Sequence, residues 1–370
     1  MSQGELEPAD VAALFDRNRL RIARELRGLT QVELARDVGT VTSASLSQFE
    51  NGHSRPSPTT LRRLSIVLRV PVGFFATAGR LPQSQQTQGF FRSLRSTIPR
   101  DRLKALAHVD LVHELTLQLE RYVALPELDL PRLGTPISGE TTRNHIEQIA
   151  ADVRECWNIP RGPIKDVVRE LERHGIVTTR FRVELDQIDA FSVLFSDHPV
   201  VTLGADKGWR DRSRFDGSHE LGHLVMHLSG QAGSKMIETQ AHQFAAAFLM
   251  PAGDIKDQLP SCADWSHLLK LKNTWQVSIA ALLMRAKTLE IMDEHVYVQA
   301  MKVMSARGWR KREPGDLGFA ESPVLLRRAI DVAADNGLAL SDLVRRAGLP
   351  EGDIRTILGV TDDERPRVEL

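Results

Sequence analysis

Residues 215–227 read FDGSHELGHLVMH, and the reading of this stretch governs the reading of the whole chain. His219 and His223 stand four positions apart. On a helix that spacing stacks two imidazoles on one face, one turn apart. Two ring nitrogens so placed can bind a single tetrahedral zinc ion at about 2.0–2.1 Å. Glu220 points partly round the helix, beside the position such an ion leaves open. A carboxylate there can take a proton from water polarised by the metal. The competing reading is a core helix that happens to carry histidines. In a chain with twelve histidines, the three fixed positions arise by chance in about a few per cent of cases.

The surroundings favour the metal. A catalytic site needs a third protein ligand and an open fourth position. Glu238 lies fifteen residues beyond His223, near the start of the predicted helix MIETQAHQFAAAFLM. On that helix Glu238, Ala241, His242 and Ala245 share a small, polar face, while Ile237, Phe244 and Phe248 share a bulky one. The small face lets the helix approach the motif helix and carries the Glu238 carboxylate to the metal. His242, one turn on, could brace a ligand from behind. His227, one turn past His223, could brace a ligand, act as an electrophile in the transition state, or be structural. Manganese or cobalt would suit two histidines and a carboxylate as well as zinc does.

Just upstream, PVVTLG follows AFSVLF across the polar turn SDHP, which predicts a hairpin. PVVTLG is either an edge strand that pairs with extended substrate or a strand with no such role. Farther out the pattern is mostly helical. A long helix is expected within residues 99–126, and Pro251 stops the helix that carries Glu238.

The amino-terminal part has a different character. LTQVELARDVG predicts a helix opened by Thr30, with Glu33 completing a capping box. TSASLSQFENG predicts a second short helix ending at Gly52. Leu34, Val38, Leu46 and Phe49 face a common core, and Ser43, Ala44 and Gln48 carry small or amide side chains suited to a major groove. Residues 11–80 hold eleven arginines, no lysine and five acids, although the whole chain is neutral. A basic excess confined to one small module is a plausible phosphate-facing surface.

Both halves resemble known families. Gln31, Leu34, Ala35, Leu46, Ser47, Glu50, Asn51, Gly52 and Pro56 match the helix-turn-helix of lambda-repressor-like (XRE-family) regulators over about residues 16–76. The resemblance implies that Gln31, Ser43, Ala44 and Gln48 touch bases or nearby phosphates of a double-stranded operator, with Arg55, Arg62 and Arg63 on the backbone. HPVVTLG, RDRSRFDGSHELGHLVMH and IETQAHQFAAAFLMP resemble the ImmA/IrrE zinc metallopeptidases, over about residues 141–308. In that family the equivalents of His219, His223 and Glu238 bind zinc, and the equivalent of Glu220 is the general base. Members often have asparagine at the position of His242.

The expected fold is mainly α with a small β-sheet. Residues 1–80 would form the helix-turn-helix, 81–136 a linker and long helix (the linker stretch GRLPQSQQTQG, residues 79–89, straddles this boundary), 137–308 the peptidase domain, and 309–370 a helical region. The cysteines, Cys156 and Cys262, form no CxxC pair, which excludes a cysteine-rich zinc site. No apolar signal region or membrane-length run is present, so a cytoplasmic location without membrane contact is expected. The resemblance implies a DNA-binding regulator fused to a metalloendopeptidase that cleaves a repressor protein in a stress or mobile-element response, and it leaves room for a homodimer. The rival reading is mainly a transcription factor, with the zinc domain a sensor of little turnover. A third is a hydrolase of small amides.

Overall fold

The computed structural model describes residues 7–76, 98–131, 141–181, 190–195, 197–204, 209–227 and 235–360. The linker expected over residues 79–89 lies outside the described residues. The architecture is mainly helical around one three-stranded sheet, as expected. No helix among the described residues is long and apolar enough to cross a membrane.

Five helices open the chain: α1 (Pro8–Ala13), α2 (Arg17–Leu26), α3 (Gln31–Val38), α4 (Ser43–Asn51) and α5 (Pro58–Leu68). Local chemistry sets their ends. Thr30 accepts a hydrogen bond from the Glu33 amide while the Glu33 carboxylate accepts from the Thr30 amide, closing the capping box. Gly39 and Gly52 end α3 and α4 in the left-handed conformation, which costs glycine little. Leu34, Leu46, Leu61 and Leu64 are fully buried between them.

The long helix α6 (Pro99–Glu120) shares its core with these helices. Leu106, Val109, Leu111, Val112 and Leu115 belong to the same apolar cluster as Leu20 and Leu34. The buried Arg19 of α2 pairs with the buried Glu114 of α6 at 3.4 Å. The amino-terminal module is therefore packed directly onto α6, and a charge pair spans the seam.

Strands β1 (Val177–Phe181), β2 (Ala190–Val193) and β3 (Val200–Gly204) are ordered β1-β3-β2. β1 runs parallel to β3, and β2 antiparallel to it. The expected hairpin is present as β2–β3, and of the two readings of PVVTLG the edge strand is excluded: PVVTLG is the central strand, and β2 is the edge on the motif-helix side. The reason is β1, which arrives from earlier in the chain and covers the other flank of β3. One sheet face, with Val177, Phe191 and Val200, faces the α6 core; Ala190, Val201 and Leu203 face the second core. His113 of α6 contacts Asp197 at 2.8 Å, and His198 contacts Glu120 at 2.6 Å, so the β2–β3 turn hangs from α6.

The second core gathers α7 (Arg143–Cys156), α8 (Val167–Arg173), α9 (Arg210–Met226), α10 (Lys235–Leu249), α11 (Ala252–Ile255), α12 (Trp265–Trp275), α13 (Ile279–Thr288) and α14 (Glu294–Ala306). Helix α9 is the motif helix. Two guanidinium groups complete the C-terminal end of α10: Arg154 donates to the Phe248 carbonyl at 2.8 Å and Arg285 to the Met250 carbonyl at 2.9 Å. These carbonyls have no helical partner of their own, and a cation also suits that end of the dipole.

The carboxy-terminal helices α15 (Leu325–Asp335), α16 (Leu340–Ala347) and α17 (Glu351–Leu358) join the first core. Asp353 takes two bonds from Arg27, at 2.7 and 2.6 Å. Just before them, the buried Glu321 pairs with Arg214 of α9 and accepts the amides of Val167 and Val168 at the start of α8. The segment after α14 is thus built into both cores.

Candidate metal centre

Helices α9 and α10 lie side by side, and glycine makes this possible. A Cβ on Gly222 would sit 2.9 Å from a ring carbon of Phe244. The close approach at Gly222 therefore involves Phe244, from the bulky face of α10, where the small face was expected; Glu238 and His242 of that small face meet His219. It brings side chains from two helices to one point.

His219 and His223 direct their Nε2 atoms toward each other, 3.0 Å apart. Glu238 of α10 reaches both, with Oε2 at 3.3 Å from His219 Nε2 and Oε1 at 3.7 Å from His223 Nε2. Ligands of a tetrahedral ion at about 2.0–2.1 Å stand roughly 3.3 Å from one another. The three donors already have that spacing, and two imidazoles with a carboxylate form a suitable set for a divalent ion. His223 is buried, and burial with the neighbouring histidines holds its pKa well below the ordinary value. It is neutral and keeps a lone pair to donate. Burial opposes charge on His219 too, but hydrogen bonding to Glu238 and the nearby carboxylates raise its pKa.

Glu220 also comes within 4.8 Å of a ring nitrogen of His219 and of His223, but it is held from another element. It is buried, and its Oε2 accepts a 2.6 Å hydrogen bond from Ser192 on the edge strand β2. Burial pushes its pKa up to about 7, against the opposing pull of His219 and the Ser192 bond. A carboxyl poised there can both take and return a proton near neutral pH.

The remaining two histidines sit on opposite sides of the cluster. His227 is buried behind His223, Nδ1 to Nδ1 at 3.2 Å, and its Nε2 contacts Gln240 Oε1 at 2.9 Å. It lies at the back of the His223 ring, away from Nε2, so the electrophile role considered for it has no geometric support. His242 is exposed, with Nδ1 donating to the Glu238 carbonyl at 2.7 Å and its ring against His219 at 4.4 Å between centroids. Among the described residues two further groups, overlapping this one, also bring three donor atoms within 4.8 Å of one another: His219 with Glu220 and His223, and His219 with Glu238 and His242.

A family model for the IrrE N-terminal-like domain matches residues 171–287, and one for a helix-turn-helix matches residues 20–75. The two matches, in their order along the chain, correspond to the ImmA/IrrE architecture headed by an XRE-type helix-turn-helix. No curated protein matches the chain. The IrrE-like domain is of the metallopeptidase type, a class that works with a metal, typically zinc, and the helix-turn-helix is of the DNA-binding type. The matched IrrE-like segment contains His219, Glu220, His223 and Glu238, and also Ser192 and Gln240.

Within the helix-turn-helix, Ala44 and Gln48 are exposed on α4, with Ser43 half-buried at its first turn. Gln31 is committed to Glu50 at 2.8 Å, which also takes two bonds from Arg24. Arg55 donates to the Ala13 carbonyl at 2.7 Å, whereas Arg62 and Arg63 are exposed on α5. Ser192 and Gln240 were not singled out from the sequence. For Ser192 the available signal was a polar residue within the apolar run AFSVLF, since buried polar groups find partners; Gln240 stands among other polar residues in IETQAHQF, and nothing local marks it.

Proposed function

We propose that this protein is a DNA-binding regulator carrying a zinc-dependent metalloendopeptidase of the HExxH type, and that it hydrolyses a peptide bond in a repressor protein during a stress or mobile-element response. The observation that carries the reading is the convergence of His219, His223 and Glu238 beside a separate, buried carboxylate, Glu220. Three donors and an independent base are what hydrolysis requires; a purely structural ion needs no base.

In this reading His219, His223 and Glu238 hold the ion, which when bound supplies a Lewis acid and activates water. Glu220 takes the proton of the attacking water and returns it to the leaving amine. Ser192 holds the Glu220 carboxylate through Oε2, leaving Oε1 for that proton. The helix-turn-helix brings the regulator to its operator, with Ser43, Ala44 and Gln48 toward the bases and Arg62 and Arg63 toward phosphates.

The test separates the base from the ligands. Glu220→Gln should retain zinc and lose peptide cleavage, whereas His219→Ala, His223→Ala and Glu238→Ala should lose most zinc. Elemental analysis and cleavage of a peptide library measure the two properties. Zinc lost from Glu220→Gln as fully as from His223→Ala would make Glu220 a ligand. A zinc-loaded wild-type chain without cleavage would favour a metal-sensing transcription factor.

A further inference from the structure

We infer that Gln240, acting through His227, fixes the tautomer and ring orientation of His223 so that its Nε2 lone pair faces His219 and Glu238. This rests on the proposed metal centre. The relay is continuous and buried: His223 Nδ1 lies 3.2 Å from His227 Nδ1, and His227 Nε2 lies 2.9 Å from Gln240 Oε1. The three side chains are 1, 2 and 4 % exposed.

The direction of the bonds follows from the end of the chain. An amide oxygen only accepts, so the His227 ring carries its proton on Nε2. A neutral imidazole with Nε2–H offers Nδ1 as an acceptor, so His223 must donate from its own Nδ1–H. That leaves His223 Nε2 unprotonated, at 3.0 Å from His219 Nε2 and 3.7 Å from Glu238 Oε1. With the amide turned over, every bond reverses and the proton lands on His223 Nε2, where an ion would have to displace it. The orientation of one glutamine amide thus selects the metal-binding form of a histidine on another helix. Helix α10 contributes twice, delivering the Glu238 carboxylate and, two residues on, the group that orients His223. His219 is held differently: among the described residues its buried Nδ1 has no hydrogen-bond partner. Partners of this kind, bonded to the far nitrogen of a ligating histidine, typically change metal affinity by about 10–100-fold.

Gln240 and His227 are positioning residues, and two measurements on the full chain test this. The first is zinc affinity by competition with a chelating dye. Gln240→Leu and His227→Phe should bind zinc about 10–100-fold more weakly, while Gln240→Glu, which keeps an accepting oxygen, should stay within about threefold of wild type. The second is long-range 1H–15N correlation on histidine-labelled, metal-free protein. His223 should carry its proton on Nδ1 in wild type and Gln240→Glu, and lose that preference in Gln240→Leu. A merely structural role for Gln240 would not move this tautomer. Retained affinity in Gln240→Leu, or a Gln240→Glu variant as weak as Gln240→Leu, overturns the inference. If Gln240→Leu fails to fold, the wild-type spectrum still decides: a proton on His223 Nε2 refutes the relay. A wild-type chain that binds no zinc would instead defeat the metal reading, and the spectrum would still report on the relay.

Discussion

Replacing Gly222 with alanine places a methyl group where Phe244 already stands. The new Cβ would lie 2.9, 3.1 and 3.2 Å from Cδ1, Cγ and Cβ of Phe244. Ordinary carbon contacts are about 3.5–4.0 Å, so the neighbours must part by roughly half an ångström. Phe244 cannot swing aside, because it is fully buried and its ring stacks on Phe248 at 5.7 Å. The strain therefore falls on the α9–α10 spacing, with an overpacking cost of about 1–3 kcal/mol. Alanine also gains about 0.8–1.0 kcal/mol over glycine in a helix, which partly conceals that cost. Gly217, on the same helix, provides the control. A Cβ there meets Leu171 and Val167 at 3.7 Å, an ordinary contact. Gly217→Ala should therefore stabilise the protein by about 0.5–1 kcal/mol. The propensity gain cancels between the variants, so Gly217→Ala should exceed Gly222→Ala in stability by about 1–3 kcal/mol. Denaturant unfolding of the metal-free variants measures this, provided the slope is unchanged. Because α10 also carries Glu238, Gly222→Ala should bind zinc at least about tenfold more weakly, or about 1.4 kcal/mol. Equal stabilisation of both variants, with zinc affinity intact, would refute the argument that glycine sets the metal geometry.

The remaining predictions address the rest of the molecule. Glu321→Ala leaves Arg214 buried without its partner and should cost about 3–5 kcal/mol; chain unfolding near the wild-type midpoint would show that the pair is not a structural tie. His108 is buried, and burial lowers its pKa from 6.5 to about 4. The unfolded chain then binds a proton that the folded chain does not, so stability should rise with pH between about 4 and about 6.5. His108→Leu should flatten that rise, as urea midpoints across this range would reveal; an unchanged slope assigns it elsewhere. Deletion of residues 1–76 strips Glu114 of Arg19 and uncovers one flank of α6, so the remainder should aggregate or unfold at lower denaturant by gel filtration and circular dichroism. A monomeric fragment of undiminished stability would show that the two parts fold independently.

Much of the design is local, and the local part was readable from the residues alone. The Thr30–Glu33 capping box, the glycine ends of α3 and α4, the β2–β3 hairpin and the four-residue spacing of His219 and His223 all depend on neighbours within a turn or two. Glu238 was accessible because helical periodicity carries it to a face of the adjoining helix. What could not be read depends on contacts between distant segments. The intrusion of β1 beside β3 moved the supposed edge strand to the centre, because strand order is settled by which flanks are buried, not by the alternation within one strand. Ser192 meets Glu220 only through the sheet-to-helix contact. Glu321 meets Arg214 across 107 positions, and no periodicity reports a charge pair of that separation. The residue types that could bind a metal were thus legible in the sequence; how they are held depends on the close passage of α9 over α10, which only packing decides.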